Sequence, residues 1–593
     1  MKAIKRFFSI IRAKNARGLI LIIIVIFNIF LWFGSSTLAF LFSPGTYGDF
    51  ITSLWKSGIT WMLEPGFYDP SVDHSIRILS IIVILTSMIT FSGGIIGYVA
   101  SLFSAIIEQS ESGKSRLFIY DHILILNWNA KAVELITDYG YDEGNTHIVI
   151  LSAHNKKEIE SEIDRKLFDK RINNRKIKVI VREGEVLSKS DLVQVHIEQA
   201  KAVIVLCDEF DKSDNQKYQD ITSIKTLMLM NDLKIPPEQT IIVEVKSKIS
   251  KEMINNYISQ NTKFKNQIIT LIPDEMMGRL IAQSILMPSL SDVYLELFSF
   301  KGAEFYTIPQ EEPNTFLKTH SHAIPLFTID DSLYLIAESH HCISIKREEP
   351  ITSFQQLNIK MHPKTSKMHI VIFGKNNKLE FILDSIRQYE KESKANIRIT
   401  HFDSFQASSI VEEIKDDDTI DTILILSDDK LEKKDFDVDV LLTLLMTQDL
   451  AKKYQAKIVI ELLEPKHYDI AKSYRVTNTI ISNEYISKMM TQLSKNRRLN
   501  VLYQDLLTYD DDSLANETYE IYAYVAKEVF QEKFPIVFPD KFQLIYSVYE
   551  SSQEEFKVIG IVKNGITSIF KGNLDKKEDL IIEENDIIIM ICR

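Results

Sequence analysis

Two long apolar runs stand near the start of the chain, and behind them the hydrophobic pattern changes character. Gly18 to Phe42 is almost wholly apolar and carries no charge; a second run extends from Ile76 to Glu108, with Arg77 the only charge before its last residue. A helix that crosses a bilayer needs about 20 such residues, so both runs predict spans. The residues before the first run include Lys2, Lys5, Arg6, Arg12, Lys14 and Arg17 and no acid. The loop between the runs carries Asp49, Glu64, Asp69 and Asp73. Basic flanks stay cytosolic, which predicts a multi-pass cell-membrane protein with both termini in the cytosol. A basic start before an apolar stretch is also the pattern of a cleaved signal peptide, but this run is long for one and a second span follows.

Within the loop, Asp49 to Trp61 is aromatic, amphipathic and compatible with a helix, and the turn-rich segment Met62 to Pro70 follows. Helix, short re-entrant helix, turn and helix is the plan of a pore loop. Irregular backbone is tolerated at membrane depth only where protein buries it or it lines water. The alternative is an external loop carrying a surface helix. The potassium-filter signature TVGYG is absent; Thr60-Trp61-Met62-Leu63-Glu64-Pro65-Gly66 stands in its place. Thr60, Glu64 and Gly66 are the candidate pore residues, because a carboxylate repeated around an axis favours cations. Gly93 and Gly94 lie inside the second run, where paired glycines either permit close helix packing or supply a hinge.

From Asp121 onward, short apolar blocks alternate with amphipathic segments. His122–Leu126 predicts a buried strand and Ala130–Tyr139 a helix; further strands fall at 147–151, 178–181, 202–206 and 241–245. Such alternation predicts a parallel, doubly wound α/β sheet. The pattern then recurs: His369–Phe373 repeats the first strand, Thr422–Ser427 repeats Ala202–Cys207, and Ile458–Glu461 repeats Ile241–Glu244. The tail repeats too, with Met276-Met277 and Gln283 set against Met489-Met490 and Gln492. The expected organisation is a basic N-terminus (1–17), a pore unit (18–110; helices 18–42 and 76–108 around a loop 48–68) and a linker (111–118). A first Rossmann-like domain (119–290) with a small α+β appendage (291–360) follows, then a second such domain (361–498) with its own appendage (499–593).

Composition narrows the function. The 593 residues carry a net charge of −12, which argues against a general nucleic-acid binder. Three cysteines, far apart, offer no disulfide framework and no metal-ligand spacing. Dinucleotide binding needs glycines after the first strand so that backbone can approach a pyrophosphate. Asn127-Trp128-Asn129-Ala130-Lys131-Ala132 has none and Gly374-Lys375-Asn376-Asn377-Lys378-Leu379 has one, so neither NAD nor ATP is expected. No catalytic His/Cys constellation appears, and an enzyme is not expected. Carboxylates do gather where strands end: Asp208, Glu209, Glu244, Asp274 and Glu275, with Asp428, Asp429, Glu461 and Glu464 as counterparts. Strand C-termini form the ligand edge of such sheets. Several oxygen ligands would suit Ca²⁺, although on an acidic protein they equally read as solvated loop acids.

The stretch from Asp121 to Phe300 resembles the CASTOR/POLLUX family of ion channels, through His122-Ile-Leu-Ile-Leu-Asn-Trp128, Lys201-Ala-Val-Ile-Val-Leu206, Ile242-Val-Glu-Val245 and Asp274-Glu-Met-Met-Gly-Arg-Leu-Ile-Ala-Gln283. The pore loop is similar at Trp55, Thr60, Glu64 and Gly66, where the family has Trp, Thr, Asp and Gly. The resemblance implies a homotetrameric cation channel in the lipid bilayer, not an enzyme, whose subunits each carry two regulator-of-K⁺-conductance (RCK) domains. Eight such domains form a gating ring regulated by Ca²⁺. The plant members have further helices before the pore unit, so the short form fits a bacterial homologue. Glu64 followed by Pro65 departs from the family's filter acid. A membrane-anchored regulatory subunit of a separate transporter is the alternative.

Overall fold

We describe a computed structural model of the chain. It describes residues 16–63, 73–111, 117–142, 144–172, 177–207, 220–260, 264, 267–287, 289–300, 302–348, 353–360, 367–403, 419–428, 437–474, 476–509 and 519–592. Two compact units result, Met1–Ser115 and Arg116–Arg593.

In the first unit, helix Ala16–Phe42 contains the first apolar run. The second run starts as helix His74–Ser87, passes through a π turn over Met88–Ser92 and resumes as helix Gly93–Glu111. Both are long and apolar enough to cross a membrane. The predicted loop helix is present between them, helical from Phe50 to Leu63 with a π segment at Leu54–Ile59. Asp49 starts it by accepting a hydrogen bond from the Thr52 amide at 3.2 Å, the ordinary means of satisfying a free helix N-terminus.

This short helix is bound to the first span by polar contacts inside an apolar shell. The Ser53 hydroxyl donates to Ser36 O at 2.7 Å, and Trp32 Nε1 donates to Leu54 O at 3.0 Å. Gly58 lies against the Trp32 ring, so closely that a Cβ there would fall 1.9 Å from it. On the other side Trp61 is buried with Ala39, Tyr47, Ile76, Val83 and Ile84, and Tyr47 meets its ring edge-on. Outward-facing Ile26, Phe30, Leu41, Ile82 and Ile89 stay exposed. An apolar exterior around hydrogen-bonded serines is the inversion expected of a bilayer solvent.

The second unit is built on two parallel sheets. The first has six strands: β1 (His122–Leu126), β2 (Thr146–Ser152), β3 (Ile177–Glu183), β4 (Ala200–Val205), β5 (Thr240–Glu244) and β6 (Ile268–Leu271), in the order β3-β2-β1-β4-β5-β6. A three-stranded antiparallel sheet follows, from β7 (Glu304–Pro309), β8 (Ala323–Ile329) and β9 (Ser332–Ala337). The second parallel sheet has, among the described residues, β10 (Lys367–Phe373), β11 (Asn396–Phe402), β12 (Thr422–Ile425), β13 (Lys457–Leu462) and β14 (Asn478–Ile481), in the order β11-β10-β12-β13-β14. Residues 404–418, where a counterpart of β3 would fall, lie outside the described residues. The last appendage comprises β15 (Glu520–Val525), β16 (Ile536–Phe538), β17 (Phe556–Lys563), β18 (Ile566–Ile569), β19 (Leu580–Ile582) and β20 (Ile587–Cys592). The central strands are buried on both faces; β1 and β5 are buried at every residue. That is why they read as unbroken apolar runs rather than alternating ones.

The repeats share one core through exchanged helices. In the first repeat, α1 (Ala130–Tyr139), α2 (Lys156–Asp169), α3 (Ile221–Met230), α4 (Lys248–Gln260), α5 (Pro273–Leu286) and α6 (Leu290–Leu297) surround the sheet and lead from it. In the second, these are α7 (Leu379–Ser393), α8 (Val438–Tyr454), α9 (Ser482–Lys495) and α10 (Leu499–Leu506). Helix α5 packs on α7, and α9 packs on α1. The arrangement has a local two-fold character. Gln283 Nε2 donates to Leu506 O at 2.9 Å, and Gln492 Nε2 donates to Leu297 O at 3.1 Å. Tyr294 donates its hydroxyl to Gln283, and Tyr503 to Gln492. Each tyrosine stands eleven residues after its glutamine, so the glutamines are equivalent. The methionine pairs are not: Met276-Met277 and Met489-Met490 lie one helical turn out of register, which corrects that part of the predicted repeat.

Candidate functional site

The strand ends of both sheets carry the same side-chain constellation. In the first repeat the chain leaves β1 through Asn127, whose φ is 73°, and reaches Asn129, the N-cap of α1. Asn129 Oδ1 accepts from the Lys131 amide at 3.0 Å, and its Nδ2 donates to Glu244 Oε2 and to Cys207 O, both at 3.2 Å. Lys131 Nζ lies 3.0 Å from Glu244 Oε1, and the Cys207 amide donates to Glu244 Oε2 at 3.1 Å. Glu244, at the end of β5, is 1% exposed.

The second repeat reproduces this. Gly374 has φ 94° where Asn127 stands in the first. A side chain there would meet Leu426 O at 2.8 Å, so this glycine serves the turn out of β10. Asn376 Nδ2 donates to Glu461 Oε2 and to Ser427 O, each at 2.8 Å, and Asn376 Oδ1 accepts from the Lys378 amide at 3.1 Å. Lys378 Nζ lies 3.2 Å from Glu461 Oε1. Asp220 accepts from the amides of Lys246 and Ser247 at 2.7 and 3.0 Å, as Asp437 accepts from those of Leu463 and Glu464 at 2.9 and 3.0 Å. A dinucleotide pyrophosphate uses the amides at the start of the first helix. In the first repeat Asn129 caps that start; in the second Asn376 takes the amide of Lys378, the residue before α7; in both a lysine–glutamate pair lies beside it.

Among the described residues the predicted metal ligands are therefore dispersed. Glu244 is held by Lys131 and Asn129. Asp274 lies 3.6 Å from Lys378 Nζ, which reaches across from the second repeat. Glu275 pairs with Lys251 at 3.0 Å and Arg279 at 2.7 Å. These three carboxylates are not brought to one point, and among the described residues no group of three or more His, Cys, Asp or Glu side chains is placed to hold a metal. Asp208, Glu209 and Asp429 lie outside the described residues, as do the pore candidates Glu64 and Gly66. Thr60 begins the last turn of the loop helix Phe50–Leu63. The two second-span glycines play separate parts. Gly93 closes the π turn, its amide donating to Met88 O. Gly94 packs against the first span, where a Cβ would lie 2.9 Å from Ile24 Cδ1.

Sequence reasoning missed Asn129, Lys131, Asn376 and Lys378. The signal was present: Asn-x-Lys recurs three residues after each opening strand. Burial, with Glu244 and Asp220 beside it, pushes the Cys207 thiol well above its ordinary value and keeps it neutral.

Two clefts flank the local two-fold axis. One, of about 410 Å³, is lined by residues of α1, α6 and α9, among them Asp138, Glu484 and Lys488. The other, of about 380 Å³, is lined by residues of α4, α5 and α10, among them Glu275, Arg279 and Asp505. In the first, Lys488 Nζ lies 3.4 Å from Asp138 and 3.6 Å from Glu484. Burial pushes the Asp138 carboxyl up to about 6 against the pull of Lys488. The Asp505 carboxyl in the second cleft is likewise raised to about 6 by burial.

A duplicated Rossmann-like region with shared core helices thus stands in one chain with two membrane-length helices. Residues 132–276 match the family described as the calcium-activated potassium channel slowpoke-like RCK domain. The chain is similar to the probable ion channel POLLUX of Oryza sativa, at 21% identity over 81% of this chain and 57% of that one. It is similar to the ion channel CASTOR of Lotus japonicus, at 20% identity over 87% of this chain and 68% of that one. The chain thus spans little more than half to about two thirds of the length of these relatives. Among solved structures, the human SLO3 gating ring superimposes with a TM-score of 0.50 at 12% identity, over 79% of this chain and 99% of that one. A structure described as the GsuK channel bound to NAD gives a TM-score of 0.41 at 12% identity, over 98% of this chain and 97% of that one.

Proposed function

We propose that this chain is one subunit of a cation channel in the cell membrane, opened and closed by a cytosolic ring of RCK-type domains. The observation that carries the reading is the re-entrant helix Phe50–Leu63, wedged between two membrane-length helices of a chain that also carries the duplicated regulatory region. Ser53, Ser57 and Trp61 have their partners on both spans, which a cleaved signal peptide would not supply. Glu64 follows directly on Leu63, at the carbonyl end of this helix. Helix dipole and carboxylate then carry the same sign, and both attract cations.

Both termini are assigned to the cytosol from the basic N-terminal flank. The regulatory ligand is proposed as Ca²⁺, with Asp208 and Glu209 as its first candidates, because Glu244, Asp274 and Glu275 are already paired with lysine or arginine. The asparagines that take the amides at or just before the starts of α1 and α7 favour a divalent ion over a nucleotide. The test is flux of K⁺, Na⁺ and Ca²⁺ through the purified full chain in liposomes, with and without Ca²⁺ on the cytosolic side. Glu64→Gln should lower cation conductance severalfold at low salt. Purified chain that passes no ions would turn the assignment toward a regulatory subunit.

Self-association into a homotetramer is part of the same reading. Val438, Leu442, Leu445 and Met446 form one face of α8 and stand 46–59% exposed. A continuous apolar stripe on a surface helix marks a docking face, and a ring of identical subunits would cover it. Leu442→Glu with Leu445→Lys should shift the purified chain from tetramers to smaller species, read by size exclusion with light scattering. An unchanged mass would remove α8 from the assembly surface.

A further inference from the structure

The second span is interrupted where it meets the first. In the π turn Met88–Ser92 the Gly93 amide bonds to Met88 O, five residues back rather than four. Such a turn inserts one residue into the helical count, so the two α-helical halves are out of phase. It persists only where neighbours hold it.

The neighbours are on the first span. Ile24 and Asn28 stand four residues apart on one α-helix and share a face; Thr90, inside the π turn, and Gly94, just past it, both meet that face. Ile24 lies over Gly94, where the missing Cβ lets the helices approach. Asn28 lies beside Thr90, whose hydroxyl reaches Asn28 Oδ1 at 3.1 Å. Asn28 Nδ2 in turn donates to Ile24 O at 2.8 Å. Asn28 is 4% exposed, while its neighbours Phe27, Ile29 and Phe30 are 46–80% exposed on the outer face. A buried amide in an apolar span is retained where it bonds across helices.

The Thr90 hydroxyl has a second acceptor, Thr86 O, at 2.8 Å on its own helix. One proton thus serves two alternatives. Given to Asn28, it ties the π turn to the first span. Given wholly to Thr86, it leaves the second span free to change register. We propose that Asn28 and Thr90 form an intramembrane latch that fixes the π turn of the second span, and that releasing it lets the half Gly93–Glu111 rotate about the helix axis. Resting on the channel reading above, this places the moving joint at the π turn rather than at flexible glycines. It makes Asn28 and Thr90 positioning residues for the gate.

The test uses the full chain in lipid nanodiscs and planar bilayers. Thr90→Val keeps the shape and removes the hydroxyl, Thr90→Ser keeps the hydroxyl, and Asn28→Leu removes the acceptor. Amide hydrogen exchange over residues 86–94 should quicken in Thr90→Val and Asn28→Leu, and stay near wild type in Thr90→Ser. The open-to-closed ratio should shift in one direction in both latch variants, about threefold to tenfold, the range of a single cross-helix hydrogen bond. The double variant should go no further than either single one. If Thr90→Val does not assemble, Thr90→Ala takes its place. Unchanged exchange in the valine or alanine variant overturns the latch, as does a serine variant that behaves like it. Should the wild-type chain pass no ions, the channel reading fails, and exchange alone decides the latch.

Discussion

Glu244→Ala should cost the chain about 3–5 kcal/mol of stability, the range for removing one partner of a buried ion pair. The change takes a partner from three groups at once: the Lys131 ammonium at 3.0 Å, the Asn129 amide at 3.2 Å and the Cys207 backbone amide at 3.1 Å. The Asn129 and Cys207 groups cannot turn to bulk water, because those residues are 2% and 1% exposed. A double replacement, Lys131→Met with Glu244→Gln, removes the charge and leaves a polar partner for Asn129. It should lie within about 1–2 kcal/mol of wild type, since the desolvation cost of the pair offsets much of its attraction. Thermal unfolding of the purified chain measures both. If Glu244→Ala unfolds as wild type does, the pair is not a structural fastening, and Glu244 becomes available to an external ligand.

The second large effect concerns the membrane unit. Gly58→Val should abolish conduction. A Cβ at this position would lie 1.9 Å from the Trp32 ring and 2.9 Å from Ser36 Oγ. Trp32 cannot turn aside without giving up its hydrogen bond to Leu54 O. The re-entrant helix must therefore leave the first span and carry Thr60 and the following residues with it. Limited proteolysis of residues 116–593 should be unchanged, because the obstruction at Trp32 and Ser36 lies within the first unit. Reducing the obstacle with Trp32→Leu in a Gly58→Ala background should return part of the current. Wild-type current through Gly58→Val would mean that the helix does not support the pore.

The elements of the α/β region were legible because a strand buried on both faces leaves a direct trace in the sequence. His122–Leu126 and His369–Phe373 have no polar position after the histidine, and they lie within β1 and β10. Ala130–Tyr139 has the bounds read from its periodicity. The re-entrant helix was legible through its cap and aromatic pattern. The register of the tail was not. Paired methionines look like a repeat, yet packing follows the glutamines, whose amides must find buried partners while methionine adapts to whatever gap is left.

Local properties were thus determined by the sequence alone: which segments are apolar enough to cross a bilayer, which are strands, that the α/β region behind them is duplicated, and that the glycines a pyrophosphate needs are missing. Partnership was decided only by the tertiary structure. Glu244 reads as a metal-ligand candidate until Lys131 and Asn129 are brought onto it from the turn after β1, across the intervening β4. Gly93 and Gly94 read alike until one closes a π turn and the other meets Ile24. The π turns themselves depend on which carbonyl each amide finds after the helices have packed. A residue's charge or size is a property of one position, but the free energy of a buried ion pair or a close helix contact belongs to two positions that the chain joins only when folded.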